Sequence, residues 1–216
     1  MKLNTVTRNT GLAAAALSLS FGLAACSSDD SSTTASDPTS SAAAPSSDAP
    51  TSEAADASAG TFGPGCAAVP TSGDGSFNGM ATAPVATAAS ANPLLKTLVA
   101  AVTKAGLVDT LNSADALTVF APTDDAFAKI PTKTLNAVLA DKATLTKILT
   151  HHVIGGQLSP DQLAGDHDTL AKDTLTVDGS GENFTVAGDN AKVLCGNIPT
   201  ANATVYVIDT VLMPTA

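Results

Sequence analysis

Residues 118–127 read TVFAPTDDAF, and this stretch sets the plan of the fold. Its first half continues a short apolar run from Leu117, which is typical of a buried strand. Pro122 ends the run, because proline cannot donate a backbone hydrogen bond to a neighbouring strand. Thr123 then occupies a helix N-cap position and predicts a one- or two-turn helix that carries Phe127. We therefore expect a buried strand that passes directly into a short helix.

Helical patterns lie on both sides of this strand. Apolar residues recur at helical spacing over residues 94–102, 132–139 and 145–152. Asn92-Pro93 gives the first of these runs a capping residue followed by a proline at the first helical position, and Gly106 ends it. The sequence SPDQ at residues 159–162 is typical of a capping box on a further short helix.

The last quarter of the chain alternates apolar and polar residues, as strands do. Alternation on both sides of a turn at residues 178–183 predicts a β-hairpin. Residues 191–195 and 204–213 predict two further strands. Helices followed by mainly antiparallel strands indicate an α+β domain.

Three segments of this domain resemble the signatures of fasciclin-type domains. They are residues 118–127, His152-Val153-Ile154, and the run NATVYVIDTVL at residues 202–212. The resemblance spans roughly residues 80–214 and implies a wedge or sandwich of β-strands wrapped by several helices. It also implies a role in adhesion or extracellular interaction rather than catalysis. His151 stands where the family often has tyrosine, so recognition through that tyrosine is not carried over to this chain.

The signature residues are expected to support the fold and not a reaction. They are Phe120, Pro122, Thr123, Phe127, His152, Asn202, Tyr206 and Asp209. His152 follows two apolar residues on one helical face, so we expect a buried, hydrogen-bonded histidine; a pH sensor and a metal ligand are the alternatives. Asn202-Ala203-Thr204 fits a glycosylation sequon, but a turn and strand start explains it more simply.

Other polar groups have simpler explanations than chemistry. Asp124-Asp125 could be a catalytic carboxylate pair, but acidic residues at a helix start suit the helix dipole. A calcium loop could be drawn through Asp178, Ser180, Glu182 and Asp189, but Asn183 stands where such a loop requires glycine. His167 lies between two aspartates and is expected in a solvated loop. We predict no catalytic, metal-binding or cofactor-binding residue, and hence no enzyme.

Near its start the chain has the features of a secretory signal peptide. Lys2 and Arg8 precede an apolar run of about a dozen residues, short of the roughly 20 that a membrane-spanning helix needs. The run ends in Leu23-Ala24-Ala25-Cys26, which resembles the lipobox of bacterial lipoproteins. The resemblance implies removal of residues 1–25 and acylation of Cys26, which would hold the protein at the extracytoplasmic face of the cell membrane. The alternatives are an uncleaved anchor and a chance match.

Composition divides residues 26–216 into two parts. Residues 26–60 consist of the lipidated cysteine and a Ser/Thr/Ala/Pro/Asp-rich tract, which predicts a disordered stalk, with residues 61–216 forming one domain. Once Cys26 carries lipid, Cys66 and Cys195 remain as an even pair in an oxidising compartment and predict a disulfide, with free thiols as the alternative. The flanks of these two cysteines resemble the secreted and lipid-anchored mycobacterial surface antigens of the family.

Charge excludes some partners. Without residues 1–25 the chain has eight lysines, no arginine and all 20 acidic residues, a formal net charge of −12. Nucleic-acid binding is therefore not expected, since it depends on cationic contacts to phosphate. Aromatic residues make up only 3% of the chain, which disfavours base-stacking or sugar-stacking platforms.

Two functions from different classes follow. The first is a surface-displayed, non-catalytic module that binds a host or matrix protein, a glycan or another envelope component. The second is a carrier or sensor of a small apolar ligand, held in a cleft between the helices and the β wedge. A separate expectation is that the acylated N-terminus is itself recognised by host innate immune receptors.

Overall fold

A computed structural model of the chain describes residues 56–186, 188 and 190–214. The helices are α1 Phe77–Ala81, α2 Val85–Ala91, α3 Lys96–Ala105, α4 Val108–Ser113, α5 Asp124–Ala128, α6 Thr132–Ala140, α7 Lys142–His151 and α8 Pro160–Leu163, with a 3-10 helix at Pro64–Ala68. The strands are β1 Leu117–Pro122, β2 Val153–Gly155, β3 Gly165–Asp168, β4 Thr174–Ser180, β5 Asn183–Val186, β6 Ala191–Pro199 and β7 Ala203–Ile208. The predicted α+β class is confirmed.

The seven strands form one sheet in the order β2-β1-β7-β6-β5-β4-β3. β1 and β7, the second and third strands of this order, are parallel, and every other neighbouring pair is antiparallel. A single bridge between Ile154 and Thr169 brings the two ends of the sheet together. The sheet is thereby almost closed into a wedge.

The central strands are covered on both faces, which explains why β1 is a continuous apolar run and does not alternate. One face of β1 packs against the helices through Val119 and Ala121, in a core that includes Leu98 and Leu149. The other face packs inside the wedge, where Phe120 belongs to a second core.

The inner core contains four aromatic rings among aliphatic side chains. Phe120 lies opposite Tyr206 in the β1–β7 register, with ring centroids 5.9 Å apart. Phe62 joins them from the segment before the 3-10 helix, 5.7 Å from Phe184 and 6.3 Å from Tyr206. Aromatic pairs at such distances are favourable beyond the area they bury.

The strand–helix junction has the predicted form. β1 ends at Pro122, Thr123 accepts a hydrogen bond from the Ala126 N–H (3.2 Å), and α5 carries the buried Phe127. The predicted helix end at Gly106 is also present, with a left-handed φ of 75° that glycine adopts without strain.

Several element boundaries differ from the sequence prediction, and the strand predicted at residues 191–195 continues to Pro199. α3 begins at Lys96, because Asn92 ends α2 and its Oδ1 accepts a hydrogen bond from the Leu94 N–H (3.0 Å). The hairpin turn contains only Gly181 and Glu182, since the other four predicted turn residues pair within β4 and β5. The last strand ends at Ile208, well before residue 213.

The predicted disulfide joins Cys66 in the 3-10 helix to Cys195 in β6, 129 residues apart, with the Cα atoms 4.8 Å from each other. Beside it, Phe62 and Gly196 exchange two backbone hydrogen bonds of 3.3 and 2.8 Å. The bridge therefore fastens the first described segment to the centre of the sheet.

The predicted signal peptide, the acylated Cys26 and residues 26–55 of the stalk lie outside the described residues. Residues 56–60 are described, and the Ala57 N–H donates to the Asn78 Oδ1 (2.8 Å). Among the described helices, none has both the length and the apolar character required to cross a bilayer.

Candidate functional site

The three signature segments meet at His152. This residue is the C-cap of α7, and its carbonyl accepts a hydrogen bond from the Phe120 N–H of β1 (2.9 Å). Its Nδ1 lies 2.8 Å from the carbonyl of Ile148, and its Nε2 lies 2.9 Å from the Leu212 nitrogen. Since the carbonyl can only accept and the amide can only donate, the ring is neutral, with its proton on Nδ1.

Burial controls the ionisation of His152. The residue is 2% exposed, and this burial lowers its pKa to about 4, against the raising influence of the Ile148 carbonyl. A proton added to Nε2 would also displace the Leu212 hydrogen bond. Both ring nitrogens are already engaged by backbone, so this geometry suits a structural histidine and not a metal ligand.

Asn202 joins three segments with one side chain. Its Oδ1 accepts a hydrogen bond from the Val85 N–H (2.9 Å) at the start of α2. Its Nδ2 donates to the carbonyls of Leu111 and Ala114 (2.8 Å each) at the end of α4. Because this amide is committed to these contacts, the structure favours the turn and strand start over a glycosylated asparagine.

Tyr206 lies inside the wedge and has one polar contact. Its hydroxyl donates to the carbonyl of Leu158 (2.9 Å), and the residue is otherwise buried among the inner core. Burial raises the pKa of this hydroxyl above its ordinary value. The group therefore stays protonated and acts as a hydrogen-bond donor.

Asp124 and Asp125 have different surroundings. Asp124 Oδ1 accepts a hydrogen bond from the Thr97 N–H (2.7 Å), so one carboxylate serves the first turns of both α5 and α3. Asp125 is exposed at the start of α5. The two carboxylates do not form a catalytic pair.

Asp209 fastens the end of β7. Its Oδ1 accepts from the Lys192 N–H (2.9 Å), and its Oδ2 lies 3.3 Å from Lys129 Nζ. Burial raises the pKa of Asp209, but these contacts and the Thr210 hydroxyl outweigh it, so the pKa lies below its usual value. Lys129 Nζ also donates to the Asp209 carbonyl (2.7 Å), which ties α5 to the terminal signature.

One buried polar cluster was not predicted from the sequence. His151 is 6% exposed, and its Nδ1 lies 2.7 Å from Asp173 Oδ1, which also accepts a hydrogen bond from the Thr169 hydroxyl. Burial raises the pKa of Asp173, but the hydrogen bonds from Thr169 and His151 lower it by more. The pKa therefore lies below its usual value. His151 and Asp173 are 22 residues apart, so no local sequence signal could have paired them.

The signatures reach the surface along a groove of about 360 Å³. Asp125 and Lys129 line its α5 side, Pro93 and Leu94 line another, and Leu194 of β6 lies across from them. The groove mixes apolar side chains with both signs of charge, a composition suited to a polypeptide or polar partner.

The remaining candidates do not assemble into a reactive site. Asp178 and Ser180 lie in β4 and Glu182 in the hairpin turn, whereas Asp189 lies outside the described residues. His167 lies in edge strand β3 and not in the expected loop, with its Nε2 2.9 Å from the Leu163 carbonyl. Among residues 56–186, 188 and 190–214, no group of three or more His, Cys, Asp or Glu side chains could hold a metal ion.

Comparison with known proteins matches a family model described as the Fasciclin domain to residues 93–214. The chain is 47% identical over 210 residues to the cell surface glycolipoprotein MPB83 of Mycobacterium bovis, covering 94% of this chain and 93% of that protein. It is 49% identical over 162 residues to the immunogenic protein MPB70 of the same species, covering 71% of this chain and 82% of that protein.

Among solved structures, the FAS1 domain pair of the insect cell adhesion molecule fasciclin I matches with a TM-score of 0.46 and 24% identity. The match covers 55% of this chain and 45% of that chain.

Proposed function

The chain belongs to the fasciclin domain family, and from this premise we propose that it is a lipid-anchored, non-catalytic interaction module of the cell surface. The observation that carries the proposal is the 47% identity to a cell surface glycolipoprotein, which extends over 94% of the chain. Such an alignment includes much of the N-terminal region as well as the domain. The partner is a host or matrix protein, a glycan or another envelope component.

The geometry supports a binding role. The side chains of His152 and Asn202 make hydrogen bonds to backbone groups, and Asp209 binds one backbone N–H and the Lys129 side chain. These contacts hold the signatures together. Residues committed in this way make a rigid support and leave recognition to exposed side chains. The groove along the signatures, with Asp125 exposed on its α5 side, is the surface from which we would begin mapping.

Acylation of Cys26 supplies the anchor in this proposal. Two or more acyl chains give stable membrane attachment, since each buried methylene contributes about 0.8 kcal/mol. Substituting Cys26→Ala should move the protein from the detergent phase to the aqueous phase in a detergent partition experiment and abolish incorporation of labelled palmitate. Retention of the label by Cys26→Ala would refute the assignment of Cys26. Release of the anchored protein by shedding would add a secreted form.

Binding is tested with the full-length Cys26→Ala chain, purified with its disulfide intact. It is titrated by surface plasmon resonance against purified matrix proteins, glycans and fractionated envelope components, with the reduced and unfolded chain as control. Saturable binding that is lost on unfolding is expected. Absence of any saturable partner up to the micromolar range, or equal binding by the unfolded chain, would contradict a fold-dependent module.

Two matched charge-reversal variants test whether the groove along the signatures is the binding face. Asp125→Lys changes the rim of the groove, and Asp115→Lys makes the same change at an exposed loop residue between α4 and β1 that does not line the groove. If the groove is the binding face, only Asp125→Lys should weaken binding. Equal effects of the two would indicate general electrostatics, and no effect of either would place the face elsewhere.

The acylated N-terminus has a separate proposed partner, the innate immune receptors of a host. This role depends on the lipid and not on the domain. Cells that report receptor activation should respond to the acylated protein and fail to respond to Cys26→Ala. Full activity of Cys26→Ala would count against the proposal.

A further inference from the structure

An apolar cleft lies between β1 and the helices α2, α3, α4 and α7. Its floor is buried aliphatic core, represented by Leu98, Val119 and Leu149. Its free volume is about 60 Å³, and its lining includes two exposed residues, Thr110 of α4 and Leu170. The cleft is distinct from the groove along the signatures.

The rim of the cleft is apolar and incompletely covered. None of the residues of α4 is buried, although Val108 and Leu111 face the cleft. Leu170 is 43% exposed at its mouth, one of two large apolar residues so exposed among the described residues. A short helix in a globular protein normally depends on burial of an apolar face. Val108 and Leu111 pack against the helical core but are only partly buried, so part of each side chain remains accessible.

Side-chain hydrogen bonds attach α4 to α2 and to Asn202. Asn112 Oδ1 accepts a hydrogen bond from the Ala86 N–H (3.0 Å), and its Nδ2 donates to Thr87 Oγ1 (3.2 Å) on α2. At the end of α4, Asn202 Nδ2 donates to the Leu111 carbonyl (2.8 Å). These contacts therefore fix the C-terminal end of α4 against α2 and the segment before β7.

The side chains that line the cleft indicate which chemical class of ligand it could bind. No lysine, aspartate or glutamate lines the cleft, so a charged group would lie there without a counterion. The polar lining residues are Thr110, Thr150 and His152, and both nitrogens of His152 are already occupied. Phe120 is the one aromatic ring in the lining, and it is fully buried. These features favour an uncharged aliphatic group.

The geometry points to a binding site for the methyl end of an aliphatic acyl chain, supplied by a free fatty acid or lipid of the envelope. A dry cavity of about 150 Å³ accommodates benzene, so a cleft of 60 Å³ accepts only the end of a chain, with the next methylenes lying over Leu111 and Leu170. The protein's own acyl chains are a poor occupant, because each would have to leave a bilayer that buries all its methylenes. This site goes beyond the interaction role proposed above.

The test uses the full-length Cys26→Ala chain with its disulfide intact, and decanoate labelled with ¹³C at its terminal methyl as the probe. NMR should show saturable binding and magnetisation transfer from that methyl to the methyl groups of Leu98 and Val119 on the floor of the cleft. Across butyrate, hexanoate, octanoate and decanoate, the affinity should rise by about fourfold per added methylene until the cleft and rim are covered. Decanol should bind with an affinity similar to that of decanoate.

A matched pair of substitutions localises the site. Ala86→Leu adds bulk inside the cleft, and Ala100→Leu adds the same bulk on the exposed face of α3. Decanoate affinity should fall at least tenfold in Ala86→Leu and be unchanged in Ala100→Leu. Should Ala86→Leu not fold, Leu170→Ser at the exposed mouth should still lower the affinity several-fold.

Three results would overturn the inference. These are absence of saturable decanoate binding, equal affinity for butyrate and decanoate, and unchanged affinity in the cleft variants. The acylated wild-type chain, tested in detergent beside Cys26→Ala, separates the two sources of acyl chain. Binding by both forms supports a free lipid, whereas loss of binding in the acylated form alone would show that the protein's own chain occupies the cleft.

Discussion

At the scale of single residues, His152 couples the fold to pH. Its pKa is about 4 in the folded protein and near 6.5 in the unfolded chain, so the unfolded state takes up the proton first. Its contribution to stability is therefore complete above pH 6.5 and is lost as the pH falls toward 4. The full loss is about 3 kcal/mol, and urea unfolding at pH values from 7 to 4 should reveal it.

A pair of variants assigns this slope. His152→Gln cannot titrate, so its stability, although lower at pH 7, should vary less between pH 6.5 and 4. His167→Gln removes a histidine of edge strand β3, which is only partly buried, and should leave most of the slope in place. If the pH dependence of stability survives in His152→Gln but disappears in His167→Gln, the acid sensitivity comes from His167 and the prediction for His152 is wrong. Asp173 and Asp209, whose pKa values lie below the ordinary value, act at lower pH.

At the scale of elements, Asn202 decides how α2 and α4 are attached to the sheet. Asn202→Ala would leave the Val85 N–H and the carbonyls of Leu111 and Ala114 without this partner. These three hydrogen bonds are partly buried, and a bond of this kind contributes about 0.5–1.5 kcal/mol net, so we expect a loss of about 2–4 kcal/mol in the free energy of unfolding. Chemical denaturation measures the loss.

The control for this prediction is Asn78→Ala. Asn78 also accepts a backbone hydrogen bond, from Ala57, but the contact is exposed, so its removal should cost less than about 1 kcal/mol. Hydrogen exchange should accelerate at α2 and α4 in Asn202→Ala and not in Asn78→Ala. Equal stability losses in the two variants would mean that Asn202 does not hold these helices.

The elements also show what sequence can and cannot predict. β1 and α5 are set by adjacent residues, an apolar run, Pro122 and a capping threonine, and they form where expected. β3 is entirely polar in sequence and becomes a strand only by pairing with β4. α4 is six residues long with no buried residue, and amides from distant segments hold it. The contacts of His151 arise from such tertiary placement, so the sequence could not predict them. A cleft between the helices and the β wedge was expected, but the residues that line it come from distant segments and could not be named from the sequence.

At the scale of the whole molecule, the disulfide restricts the conformations open to the unfolded chain. The bridge closes a loop of 129 residues between the first described segment and β6. In the chain-entropy model a loop of this length contributes roughly 5 kcal/mol, chiefly by restricting the unfolded state. The double substitution Cys66→Ser and Cys195→Ser should therefore lower the free energy of unfolding by up to that amount.

The source of this stabilisation can be tested directly. If the bridge acts on the unfolded chain, the double variant should keep the native fold but expose more surface on unfolding, with a larger dependence of stability on denaturant. Comparison of the double variant with a parent that already carries Cys26→Ala keeps the lipid out of both. A stability loss below about 1 kcal/mol would show that packing of Phe62 against Phe184 and Tyr206 holds the first segment by itself. A loss near 5 kcal/mol would instead make the folded state of the domain dependent on an oxidising compartment, which the export proposed above would supply.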